Sequence, residues 1–176
     1  MMAKIIVGLG NPLPEYDATY HNVGMLALKH MANELKNGGE PLVFKPHKKL
    51  FEYALAGGTA LVLPLTFMNE SGTAVKEAMK KFGAAVKDLV VIHDESDLPV
   101  GTYKMSSERG AAGHKGAQSI MDALRSKEFL RVRIGIRDKN EKKRKKASEF
   151  VLKKITPKDM KTLRTVFFNL TSLVRE

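Results

Sequence analysis

Five polar side chains in this 176-residue chain have the types and the order to do hydrolytic chemistry. They are Asn11, His21, Asn69, Asp94 and His114. A neutral imidazole takes a proton from water near neutral pH. A carboxylate beside it accepts a hydrogen bond from the second ring nitrogen, fixes the tautomer and stabilises the cation that forms. Carboxamides donate and accept without ionising. Such a set can activate a water and hold an ester with neither a sulfur nucleophile nor a metal. On this reading His21 is the general base, Asp94 orients it, and Asn11 and Asn69 clamp the substrate.

The composition narrows the classes. The chain contains no cysteine, which excludes disulfides, a cysteine nucleophile and thiolate metal sites and fits a reducing compartment. No apolar run approaches the roughly 20 residues of a membrane span, so no membrane association is expected. The formal net charge is +11, and the run from Lys139 to Lys146 supplies six basic residues against the single acid Glu141. That balance favours a polyanion, of which nucleic acid is the usual one. The basic run, within a stretch of about 137–148, reads as a loop rather than a linker.

The elements that must carry these residues alternate between strand and helix. Lys4–Val7 reads as a first strand. Val23, Leu26, Ala27, Met31 and Leu35 have helical spacing over Asn22–Leu35. Leu50–Ala56 and Ala60–Leu65 flank Gly57-Gly58 as a hairpin. A helix follows over Ser71–Phe82, with Gly83 at its C-cap. Leu89–His93 is a continuous apolar run, as expected of a strand covered on both faces. Thr102–Ser106 reads as an edge strand, Ala117–Arg125 as a helix and Val132–Ile136 as a strand. Thr156-Pro157-Lys158-Asp159 opens a C-terminal helix expected over about 156–175. Length and alternation predict one α/β domain over residues 1–176, with ligand groups at the carboxyl ends of strands. Asn11, Asn69 and the His93-Asp94 pair each follow or end a strand.

Six motifs stand in order: Gly8-Leu9-Gly10-Asn11-Pro12, Tyr16, Thr19-Tyr20-His21-Asn22-Val23-Gly24, Thr66-Phe67-Met68-Asn69-Glu70-Ser71-Gly72, His93-Asp94-Glu95-Ser96-Asp97-Leu98-Pro99, and Gly113-His114-Lys115-Gly116. Together with Arg131-Val132-Arg133-Ile134-Gly135-Ile136 and Phe150-Val151-Leu152, they resemble the bacterial-type peptidyl-tRNA hydrolase family over about residues 4–165. The resemblance implies a three-layer α/β/α sandwich around a mixed sheet. It implies hydrolysis of the ester between a peptide and the 3′ ribose of transfer RNA, with no metal and no cofactor. A monomer in the cytoplasm is expected, with peptidyl-tRNA as its partner.

The resemblance also implies roles. Asn11 and Asn69 hold the last residue of the peptide, with Asn11 as an acceptor for its amide N–H. Tyr16 and Phe67 contact the terminal adenosine, since bases stack on aromatic faces. Met68 lines the peptide channel and His114 shapes its mouth. Lys104, Arg131 and Arg133 contact phosphates; the two arginines alternate on one strand face. Departures occur at Tyr20, where the family has arginine, and at Lys115, where it has a substrate-contacting asparagine. Leu13-Pro14, Ser106 and Arg137-Asp138-Lys139 also differ. These departures motivate an alternative, an RNA-binding relative without turnover. A dinucleotide site at Gly8-Leu9-Gly10 lacks its third glycine, and no Gly-x-Ser-x-Gly elbow is present.

Overall fold

The computed structural model describes residues 4–37, 39–140 and 145–174. Strand β1 (Lys4–Gly8) is followed by two single-turn 3-10 helices (Pro14–Tyr16 and Tyr20–Asn22) and helix α1 (Val23–Glu34). A short ribbon, β2 (Lys36–Asn37) with β3 (Glu40–Pro41), precedes β4 (Lys45–His47) and the hairpin β5 (Phe51–Ala56) and β6 (Thr59–Pro64). Then come α2 (Ser71–Phe82), β7 (Leu89–Pro99), β8 (Tyr103–Ser106), α3 (Lys115–Leu124), β9 (Leu130–Arg137) and α4 (Pro157–Leu170).

Seven strands form one mixed sheet in the order β4-β5-β6-β1-β7-β9-β8. The central strands β6, β1, β7 and β9 run parallel, while β4, β5 and β8 are antiparallel to their neighbours. Thr102–Ser106 is thus the edge strand that the sequence suggested, one residue shorter.

Strand alternation divides the core into two layers. Ile6, Val90, Ile92, Val132 and Ile134 pack with α1 and α4 residues such as Leu28, Met31, Leu163 and Phe167. Ile5, Val7, Leu89 and Val91 pack on the other face with Val75, Ala78 and Ile120 of α2 and α3. Both sets are buried, which is why Leu89–Ile92 carries no polar alternation. The result is the expected α/β/α sandwich. Among the described residues, no helix is long and apolar enough to cross a membrane.

Local signals placed several ends correctly. Gly83 takes a left-handed φ of 65° at the C-cap of α2. Thr156 caps α4 by accepting from the Asp159 N–H at 3.1 Å. The C-terminal helix is shorter than expected. It ends at Leu170, and Thr171–Val174 tightens into a 3-10 turn. There the Thr171 hydroxyl donates back to the Phe167 carbonyl at 3.3 Å, a bond that competes with regular helix. Of the basic run, residues 141–144 lie outside the described residues.

Two contacts fix the turn that holds His21. A strap at 150–155 runs alongside it: the His21 N–H donates to the Val151 carbonyl at 2.7 Å, and the Ile155 N–H donates to the Ala18 carbonyl at 2.8 Å. On the sheet side, Gly24 of α1 lies against β7. A Cβ there would sit 2.1 Å from the Ile92 carbonyl oxygen. Only glycine lets α1 approach so closely, and Ile92 is two residues from Asp94. Gly24→Ala therefore pushes the His21 turn away from the strand that carries Asp94. The expected outcome is a loss of about 1–3 kcal/mol in urea unfolding and a lower turnover in the fraction that still folds. An unchanged unfolding midpoint would refute the close approach.

Candidate active site

The carboxyl ends of the central strands meet in a cleft of about 580 Å³, within the size range of small-ligand sites. Asn11, His21, Asn69, Asp94 and His114 all line it, and so do Phe67, Met68 and Lys115. The strap contributes Val151 and Leu152, and the loop before α3 contributes Ala111, Ala112 and Gly113.

Alternation along β7 explains how the centre is built. Val90 and Ile92 face α1, so Asp94 faces the same side, where His21 waits. His21 Nδ1 lies 2.9 Å from Asp94 Oδ1. From the opposite layer, His114 at the N-cap of α3 brings Nε2 to 2.8 Å from the same oxygen. The sequence paired Asp94 with one histidine, and the structure pairs it with two.

The hydrogen bonds settle the tautomers. An ionised carboxylate only accepts, so both facing ring nitrogens carry protons. In the neutral ring this tautomer leaves His21 Nε2 without a proton, the atom a base requires. His114 Nδ1 accepts from the Ala117 N–H at 3.2 Å, so that ring is neutral. Asp94 itself is 4% exposed. Burial pushes its carboxyl upward, but its close interactions with the His114 and His21 rings, each presenting an N–H, outweigh burial and hold it below the usual carboxylate range. Asp94 therefore stays ionised. One ligand-type atom from each of His21, Asp94 and His114 lies within 4.8 Å of the others. The two hydrogen bonds account for that closeness, and a cation there would have to displace both protons.

Asn11 is locked by a residue the sequence analysis left out. Asn22 Oδ1 accepts from the Asn11 N–H at 2.8 Å, and Asn22 Nδ2 donates to the Asn11 carbonyl at 2.9 Å. The His21-Asn22 pair was the signal: one residue supplies the base and the next fastens the opposite loop. Asn11 Oδ1 accepts from the Met68 N–H at 2.8 Å. Its carboxamide N–H₂ can donate into the cleft, and the oxygen keeps one further lone pair for the acceptor role expected of it.

Met68 is buried at the cleft floor, and Phe67 and Asn69 are exposed at its wall. Gly116 permits this arrangement; a Cβ there would lie 2.5 Å from Met68 Sδ. Lys115, the first residue of α3, is exposed at the cleft. Tyr16 is half-buried in the turn Pro14–Tyr16 and does not line the cleft. Lys104 is exposed on β8, directly across from Arg133 in register. Arg133 is paired with Glu95 at 3.2 Å. Arg131 departs furthest from expectation. It is 2% exposed, and its Nη2 donates to the Arg109 and Gly110 carbonyls at 3.2 and 2.9 Å. A guanidinium so enclosed holds a loop and does not face a phosphate.

Comparison with known proteins shows the family and the fold. A family model described as peptidyl-tRNA hydrolase matches residues 5–176. The chain belongs to the peptidyl-tRNA hydrolase family. A peptidyl-tRNA hydrolase of Syntrophotalea carbinolica is 44% identical over 135 residues, covering 76% of this chain and 69% of that protein. One from Geobacter metallireducens is 34% identical over 178 residues, covering 100% of this chain and 89% of its own length. The crystal structure of peptidyl-tRNA hydrolase from Acinetobacter baumannii has a TM-score of 0.83 at 30% identity, covering 99% of this chain and 89% of that one. The two-layered core and mixed sheet are those of the peptidyl-tRNA hydrolase fold.

The centre also sets a pH dependence of stability. His93 is buried, and burial together with the nearby His114 drives its imidazole well below the ordinary value of 6.5. The folded chain keeps residue 93 neutral where the unfolded chain takes up a proton. That stability is therefore complete above about pH 6.5 and is lost as pH falls, at up to about 1.4 kcal/mol per pH unit. Asp94 adds a second loss that begins near its ordinary value of 3.8. Urea midpoints measured from about pH 8 to about pH 2 should fall in these two stages. A flat midpoint from about pH 7 to about pH 5 would show that His93 is not held neutral.

Proposed function

We propose that this chain cleaves the ester joining a peptide to the 3′ ribose of transfer RNA, with His21 as the base. The observation that carries the reading is the bare Nε2 of His21, produced by the Nδ1–H bond to Asp94 and aimed into a cleft floored by Asn11 and Met68. Water loses a proton to that nitrogen and attacks the ester carbonyl. Asp94 stabilises the imidazolium. The carbon–oxygen bond to the ribose then breaks, and the 3′ oxygen takes the proton back from His21. The products are transfer RNA and a peptide carboxylic acid, which loses its proton to solvent.

The side chains around the base have matching parts. Asn11 donates its carboxamide N–H to a carbonyl oxygen of the peptide, and Asn69 adds a second carboxamide at the wall. Phe67 offers an exposed aromatic face for the terminal adenine. Lys115, Lys104 and the wider net charge of +11 favour the phosphates. Lys115 trades the family's carboxamide for a cation on a long stem and contacts backbone phosphate rather than peptide. The reading includes a cytoplasmic monomer, since a centre of this kind needs no residue from a second copy and its substrate arises in translation. The RNA-binding alternative is not favoured, since a binding module needs neither a base nor its orienter.

Release of peptide from purified peptidyl-tRNA tests the reading. The wild-type chain should turn over many substrate molecules. His21→Ala should slow hydrolysis by about 100- to 10,000-fold while leaving affinity for the substrate nearly intact. Turnover by His21→Ala at the wild-type rate would refute the assignment of the base.

A further inference from the structure

His93 and Arg131 are buried, polar and unused by the chemistry above, yet they converge beneath His114. His93 Nδ1–H donates to the backbone carbonyl of Asp94 at 2.7 Å. Arg131 Nη1 lies 3.5 Å from His93 Nε2, which must therefore be the acceptor. With both nitrogens engaged, the His93 ring cannot flip. Its centroid lies 4.3 Å from that of His114, with the two planes at 53°.

We propose that His93 is a positioning residue of the hydrolytic centre. Its ring, pinned between the Asp94 carbonyl and the Arg131 guanidinium, is the floor that fixes His114 on the oxygen of Asp94 shared with His21. The inference rests on the reading of Asp94 as the orienter of the base.

The surroundings explain why a histidine is needed there. His114 is tethered at both nitrogens, by the Ala117 N–H and by Asp94, but tethers at two ends of a ring leave it free to tilt about the line between them. A packed ring beneath it removes that freedom. Arg131 holds the other side of the same device. Its bonds to the Arg109 and Gly110 carbonyls anchor the loop that delivers His114. In that loop Ala112 keeps a left-handed φ of 50°, a conformation that persists only where neighbours enforce it. Phenylalanine at 93 would fill the space but leave the Asp94 carbonyl and Arg131 without partners. Asparagine would keep a donor near the Nδ1 position and lose the ring. The charged and titratable groups facing His93 are Asp94 on its own strand, Arg131 on β9 and His114 at the start of α3. An imidazolium would set its Nε2–H against the guanidinium, so the device works only with a neutral ring.

Steady-state hydrolysis of peptidyl-tRNA by His93→Phe and His93→Asn, with ¹⁵N NMR of the histidine rings, tests the proposal. Both variants should lose roughly 10- to 100-fold in kcat, with KM within about two-fold of wild type, because the displaced centre is close to the reacting atoms. The His114 resonances should lose the single Nε2–H tautomer. Either folded variant retaining wild-type kcat, or retaining the wild-type His114 signature, overturns the proposal. If neither variant folds, the wild-type spectrum decides. His93 should remain a neutral Nδ1–H tautomer from about pH 8 down to about pH 5.5, where an exposed histidine is mostly charged. A His93 that titrates in that interval, or that carries its proton on Nε2, overturns it. The tautomer readout needs no turnover, so it separates failure of this inference from failure of His21 as the base.

Discussion

One carboxylate oxygen organises this molecule. Asp94 Oδ1 receives an N–H from His21 and another from His114, in a side chain that is 4% exposed. Burial alone would drive such a carboxyl toward its neutral acid. The two imidazole donors reverse that preference and keep the anion. The anion in turn dictates which nitrogen of each ring carries a proton. The proton-free Nε2 of His21 is thus a consequence of where Asp94 sits. Removing the charge would leave the His21 ring without a fixed tautomer.

The sandwich exists, from the standpoint of the site, to bring two helix starts to one strand from opposite faces. The turn before α1 brings His21 from one layer, and the N-cap of α3 brings His114 from the other. Gly24 is a position where backbone approach would fail with any side chain larger than hydrogen. Asn22 ties the His21 turn to the Asn11 loop, and the strap at 150–155 closes the turn from outside. Each contact is a modest hydrogen bond or a close packing. Together they leave the His21 ring one placement.

Much of the frame was legible in the sequence. Leu-Val-Val-Ile-His announced a strand covered on both faces, Gly83 and Thr156 marked helix ends, and the spacing of His21, Asp94 and the two asparagines pointed to one rim. What stayed hidden has physical causes. Strand β7 continues to Pro99 because Asp94 and Glu95 are buried with partners in His21, His114 and Arg133, whereas acids after an apolar run read locally as loop. Arg131 looked like a surface cation because sequence shows alternation but not the loop folded over that face. The Met68 amide that already donates to the Asn11 oxygen lies 57 positions away, so the sequence could not show that this acceptor is shared. His93 carried no signal beyond its neighbour, since a supporting ring is defined only by what rests on it.

The most direct measurement is the pH–rate profile of Asp94→Asn on peptidyl-tRNA. The carboxamide keeps the shape but removes the charge and offers a donor where both rings need an acceptor. Turnover should fall by about 100- to 10,000-fold with little change in KM, and the loss should persist across the pH range. Wild-type turnover at every pH would show that the shared oxygen does not govern the base.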